Sequence, residues 1–201
     1  MAAGALISAD TYVPSPLPFP SSIARIEHMF DLGSGAAEGL RALVDALEMV
    51  QSHPDARGKL DQVEALERLK CAAAAAQARI SSDFDHQRND AHPTFAVPDS
   101  SVGAEIGIAR HQSPHGGRRK LGLARALVDD LPATLAALGR GDIDERRAEI
   151  IADGTRDLSH EDRLSADAEI ARELRYLGDR DLQMLVQRIV YRIDEAGAVR
   201  R

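Results

Sequence analysis

The feature of this sequence that most constrains its fold is a long apolar repeat between residues 60 and 84. The repeat predicts one helix from about Leu60 into the high eighties, which at about 1.5 Å per residue is roughly 40 Å long. One short partner cannot cover a rod of that length, so we expect a helix bundle or a dimer interface. Its apolar side chains recur at steps of three and four residues, the spacing of one helix face: Leu60, Val63, Leu66, Leu69, Ala73, Ala76, Ile80 and Phe84.

The rest of the chain also carries helical signals. Ser113 followed by Pro114 predicts a capped helix start, and Ser159 followed by Asp162 forms a second capping pattern. No sustained alternation of apolar and polar residues indicates a strand. We therefore expect an all-α fold, a multi-helix bundle with one long helix. A regular final helix is predicted by the apolar stripe of Leu182, Leu185, Val186, Ile189, Val190 and Ile193.

Proline positions suggest how the chain is organised. Residues 1–21 are expected to be a disordered, proline-rich arm, because four alternating prolines forbid a helix there. Residues 22–95 are expected to form N-terminal helices, including the long one. After a linker around residues 92–100, residues 101–201 are expected to form a C-terminal helical subdomain.

Composition excludes several classes of protein. The chain has 25 Lys and Arg against 32 Asp and Glu, a formal net charge of −7 that argues against a protein coating DNA. No apolar run reaches the roughly 18 residues of a membrane span, and no secretory signal pattern is present. Cys71 is the only cysteine, which excludes an intrachain disulfide and a multi-cysteine zinc site. We expect a cytoplasmic protein without a membrane partner.

Histidine spacing does not predict a catalytic or metal site. His86, Asn89 and His92 lie too close together for an HNH nuclease, whose ligands converge from separate elements. His111 and His115 have a His-x3-His spacing, but Pro114 interrupts the helix that would present both rings to one metal. We therefore predict no catalytic residue, no metal ligand and no cofactor, and we do not expect this chain to be an enzyme.

The most informative segment is basic and free of acidic residues between positions 110 and 125. Residues 104–121 have the pattern of a helix, a short turn and a capped second helix, as in a helix-turn-helix motif. An ordinary αα-hairpin with a solvated basic face fits the same pattern, and Arg110, Gln112 and Gly117 stand where the motif usually has apolar contacts. If duplex DNA is the partner, four side chains would contact phosphate, namely Arg118, Arg119, Lys120 and Arg125, and His115 would approach a base edge.

Several blocks of sequence, in order, resemble a known family. They include residues 102–106, 113–114, 117–119, 121–127, 131–138 and 141–143. Over about residues 40–201 the chain is similar to DUF222, the actinobacterial domain of unknown function that precedes the HNH endonuclease domain in the thirteen-E-twelve repeat family. The resemblance implies a non-catalytic helical module that positions a nuclease on DNA.

The nuclease module itself, with its Cys-x-x-Cys pairs, is not in this sequence. We therefore expect the helical half alone, either as the remnant of a truncated endonuclease or as a free-standing module. The alternative hypothesis is a protein-interaction module whose partner is a second copy of the chain, bound through the long helix.

Overall fold

A computed structural model describes residues 35–90, 99–174 and 177–200. All secondary structure within these ranges is helical, which confirms the predicted all-α fold. A short π-helical turn, Ala126–Asp130, interrupts the series. The α-helices are α1 (Gly35–Glu48), α2 (Ala56–Asp90), α3 (Asp99–Ala109), α4 (Pro114–Arg125), α5 (Pro132–Arg140), α6 (Glu145–Thr155), α7 (His160–Glu173) and α8 (Asp179–Arg200).

The chain divides into two compact units, Met1–Ser52 and His53–Arg201. Within the first unit, the described residues form α1, which ends at Glu48 and buries Gly39. The expected arm of residues 1–21 lies outside the described residues. The linker of residues 92–100 also falls mostly outside them, and its last two residues already belong to α3.

The second unit has a continuous apolar core formed by α2 and helices α4 to α8. Ile151, Ile170 and Val186 represent the contributions of α6, α7 and α8, and each is almost completely buried. The stripe predicted for the final helix is confirmed, since Leu182 and Ile189 lie in the same core. The long helix therefore shares its core with the C-terminal helices, although the sequence grouped it with the N-terminal ones.

The long helix is confirmed, but its buried face is not the predicted one. Leu60, Val63 and Ile80 are 65%, 64% and 59% exposed. Helix α5 packs against the small residues of α2, and a Cβ placed on Gly139 would be in van der Waals contact with the Ala75 Cβ, at 3.7 Å. Only small side chains fit at that separation. The residues that α2 buries are Cys71, Ala75, Ala78, Ser82 and Asp85.

Helix ends follow the capping chemistry of the sequence. The Ser113 and Ser159 hydroxyls accept hydrogen bonds from the backbone N–H groups of Gly116 and Asp162, as predicted. The start of α6 is capped by Asp144, whose side chain accepts a hydrogen bond from the backbone N–H of Arg147. Gly141 ends α5 with φ +78°, a left-handed conformation that favours glycine.

Candidate nucleic-acid interface

Helices α3 and α4 form the predicted helix, turn and helix. Residues 110–113 connect them, and His111 adopts φ 54°, which reverses the chain direction between the two helices. Val102, Ile106 and Leu121 form a small apolar cluster between the helices, with Phe84 of α2 packed against it. The hairpin thus has its own core, which fixes α4 relative to α2.

Glycines bring α3 and α4 into backbone contact. A Cβ on Gly117 would lie 1.9 Å from the Gly103 carbonyl oxygen and 2.5 Å from the Gly107 amide nitrogen, distances at which atoms overlap. The crossing therefore requires glycine at position 117. Gly117 stands where a helix-turn-helix motif usually has an apolar contact, and here it permits a closer contact between the two backbones.

Arg125 holds α4 onto the long helix. Its Nε and Nη2 atoms donate to the two carboxylate oxygens of Asp85, each at 2.7 Å, and Asp85 is buried. A bidentate pair of this kind is geometrically specific. Arg125 therefore stabilises the fold, and its guanidinium is engaged on the inner side of the hairpin.

Lys120 is likewise engaged within the fold. Its ammonium group lies 2.9 Å from Glu145 and 2.8 Å from Glu149, both on α6, and its side chain is only 17% exposed. Arg110 reaches the same cluster, donating to Gln77 at 2.6 Å and to Glu145 at 3.1 Å. These contacts tie the hairpin to α2 and α6.

The other three candidate residues of α4 are exposed. His115 and Arg118 are both on the surface, and no ion pair of Arg118 occurs within the described residues. The Arg119 side chain is 63% exposed, and its Nη2 atom lies 4.0 Å from Glu149 Oε2. The structure thus separates the predicted contact residues into an exposed set and an internally paired set.

One cation near this surface, Arg146, lies outside the basic run that predicted the other contacts. Arg146 on α6 is 60% exposed, and its Nη1 atom lies 3.6 Å from the same oxygen of Glu149. Arg146 and Arg119 are 27 residues apart in the sequence, so only the packing of α6 beside α4 brings them to one carboxylate. A run of basic residues could not reveal this neighbour.

The buried polar groups elsewhere serve the fold. Asp167 of α7 caps the start of α5, accepting hydrogen bonds from the backbone N–H groups of Ala133 at 2.6 Å and Thr134 at 3.0 Å. Burial raises the pKa of Asp167, although these hydrogen bonds favour its charged form. Burial also raises the pKa of the Cys71 thiol, which disfavours the reactive thiolate.

The described residues also form a large open groove away from the hairpin. This groove of about 1180 Å³ between α2, α5 and α7 contains charges of both signs, and Arg140 there pairs with Asp142 at 2.8 Å. Nowhere in the described ranges are three or more His, Cys, Asp or Glu side chains grouped to hold a metal ion. No described helix is long and apolar enough to cross a membrane.

Fold and surface together define an all-α module in which a helix-turn-helix-like hairpin exposes basic side chains. Comparison with family models gives a match over residues 62–201 to DUF222, whose description is domain of unknown function. The chain belongs to the DUF222 family, as its sequence blocks predicted. Neither a curated protein nor a solved structure matches it.

Proposed function

We propose that this chain is a non-catalytic helical module that contacts the phosphates of duplex DNA through the exposed side of α4. The observation that supports the proposal is the exposure of Arg118 and Arg119 on a helix whose other face is fixed by the Gly117 crossing and the Arg125 pair. Because α4 is already held in place, phosphate binding has to order only the two arginine side chains and not the helix that carries them.

The proposal divides the five predicted contact residues by role. Arg118 and Arg119 are the phosphate contacts, and His115, in the first turn of α4, faces the base edges. Lys120 and Arg125 support the helix from within, because their charges are already paired with carboxylates. Two phosphate contacts on a chain of net charge −7 give weak, salt-sensitive binding.

The test is a salt series on duplex DNA with the full chain. Each phosphate contact contributes about −0.9 to the slope of log K against log salt. The double variant Arg118→Ala, Arg119→Ala should reduce that slope by about 2. A matched control, Arg57→Ala with Arg156→Ala, removes two exposed arginines elsewhere and should leave the slope unchanged. An affinity that does not change with salt concentration, or that is the same in the α4 double variant, would reject the proposal.

In longer family members, the same hairpin would place a nuclease domain on DNA. This extension rests on the sequence resemblance to the domain that precedes HNH endonucleases. It predicts that fusing a family nuclease domain after residue 201 produces cleavage that depends on Arg118 and Arg119. Cleavage that is equal with and without those arginines would limit the module to a different role.

A second candidate function is self-association through the long helix. The supporting observation is the exposure of large apolar residues along α2, among them Leu66 and Ile80. A second copy of the chain could cover this face by helix packing, with Ala73 and Ala76 permitting close approach. Light scattering across a concentration series tests it: mass should rise with concentration, and Leu66→Gln with Ile80→Gln should abolish the rise. A constant monomer mass would reject this function.

A further inference from the structure

We propose that Glu149 acts as an internal competitor of phosphate and that Arg146, on α6, is a further phosphate-contact residue. The inference rests on the proposed DNA contact and extends it from one helix to two. Its basis is the position of one carboxylate between the exposed arginines of α4 and α6.

The Glu149 carboxylate lies within 4.0 Å of three cationic side chains. Oε1 accepts from the Lys120 ammonium at 2.8 Å, a distance within the hydrogen-bond range. Oε2 lies 3.6 Å from Arg146 Nη1 and 4.0 Å from Arg119 Nη2, both beyond that range. The two guanidinium groups are therefore attracted to the carboxylate without being hydrogen-bonded to it, and both remain largely in solvent.

The same arrangement suits a phosphate group. Arginine recognises phosphate and carboxylate oxygens with the same donors, so a DNA phosphate approaching α4 can contact the groups that Glu149 now attracts. Arg119 and Arg146 then bracket the phosphate from two helices. The Glu149 charge, fixed beside them, opposes that approach by repulsion.

The charged side chains around Glu149 carry a net positive charge. Glu145 and Glu149 carry two negative charges, while Arg110, Arg119, Lys120 and Arg146 carry four positive ones. Lys120 also keeps its 2.9 Å contact with Glu145 when the charge of Glu149 is removed. Neutralising Glu149 should therefore strengthen phosphate binding while α4 stays attached to α6.

The test compares two variants that change the net charge by the same amount. Glu149→Gln removes the competing carboxylate, and Asp153→Asn removes an exposed one four residues later on α6 that has no ion pair within the described residues. Fluorescence anisotropy with a labelled duplex, repeated over a salt series, should show several-fold tighter binding for Glu149→Gln and a slope steeper by up to about 1. Asp153→Asn should differ little from the unchanged protein.

Arg146→Ala provides a third variant. Made alone, Arg146→Ala should weaken DNA binding, and combined with Glu149→Gln it should cancel the gain in affinity. Thermal unfolding checks that each variant folds. Equal effects of Glu149→Gln and Asp153→Asn, or an unchanged or lower affinity of Glu149→Gln, would overturn this inference while the proposed function stands. Absence of salt-dependent binding by both the unchanged protein and Glu149→Gln would overturn the proposed function and this inference together.

Discussion

The two halves of α2, before and after Arg68, differ in the apolar side chains that they bury. In the first, Leu60 and Val63 are large, apolar and mostly exposed, whereas in the second the small side chains of Cys71, Ala75 and Ala78 are buried while Ile80 is 59% exposed. Hydrophobicity alone would predict the reverse. The difference shows that the position of the neighbouring helices, rather than the size of the apolar residue, determines which part of a long helix enters the core.

The cover provided by α5 runs along α2 as far as Arg68. There Gly141 ends α5, and a Cβ placed on it would lie 2.9 Å from the Arg68 Cγ and 3.1 Å from the Arg68 Cα. Twelve residues of α2, from Ala56 to Glu67, precede this contact, and none of them is buried. The residues that α2 buries, from Cys71 onward, thus lie on the side of Arg68 that α5 covers.

The largest effect should come from the buried half, through Arg125→Met. The substitution leaves the Asp85 carboxylate buried without its charged partner, and loss of such a partner costs about 3–5 kcal/mol of unfolding free energy. Urea denaturation measures the loss. The double variant Asp85→Asn, Arg125→Met should recover part of it, and a single-variant loss below about 1 kcal/mol would show that the pair contributes little.

A second, smaller effect should follow from Ala75→Leu. Ala75 is completely buried at the closest approach of α2 to Gly139 of α5, so a larger side chain must force the helices apart. Overpacking of this kind costs about 1–3 kcal/mol. Ala73→Leu, on the exposed side of the same turn, is the control and should be near neutral. Equal effects at the two positions would remove the distinction between the two faces.

The pH dependence of the unfolding free energy tests α5, the helix that packs on α2, because Asp167 caps its start. Its raised pKa means that the folded protein holds a proton at pH values where the unfolded chain releases it. The contribution of Asp167 to stability is therefore fully present below the ordinary value of 3.8 and is lost as pH rises through the raised value. Asp167→Asn should abolish that decline in unfolding free energy. Identical pH profiles for the two proteins would contradict the assigned direction.

The smallest effect should appear in the exposed half. Leu66→Gln changes a residue that is already on the surface, so the unfolding free energy of the monomer should change by no more than about 0.5 kcal/mol. Thermal unfolding at low protein concentration measures it. A loss comparable to that of Ala75→Leu would mean that this face is covered in the folded protein, and the comparison of the two halves would fail.

Local chemistry made much of the helix inventory predictable. The Ser113 and Ser159 caps and the left-handed Gly141 act within a few residues, so the helix starts and the turn could be found from spacing. The buried face of α2 could not, because alanine is compatible with either side of a helix. The choice between faces depends on α5, whose residues lie more than 40 positions beyond the end of α2.

Only part of the candidate interface could be predicted from the sequence. The exposed Arg118 and Arg119 follow from a basic run on a capped helix. The pairing of Lys120 with Glu145 and Glu149 spans more than 20 residues and depends on the packing of α6 beside α4. Arg146 was not predicted because acidic residues flank it in the sequence, and only the packing of α6 places it beside α4.

By itself, the sequence determined that the chain is helical, where most helices begin, and that it belongs to the DUF222 family, because caps, turns and family blocks are local patterns. Tertiary structure alone decided which face of α2 is buried and which cations remain in solvent. Both depend on contacts between helices distant in the chain, where small residues permit close packing and carboxylates on one helix neutralise cations on another.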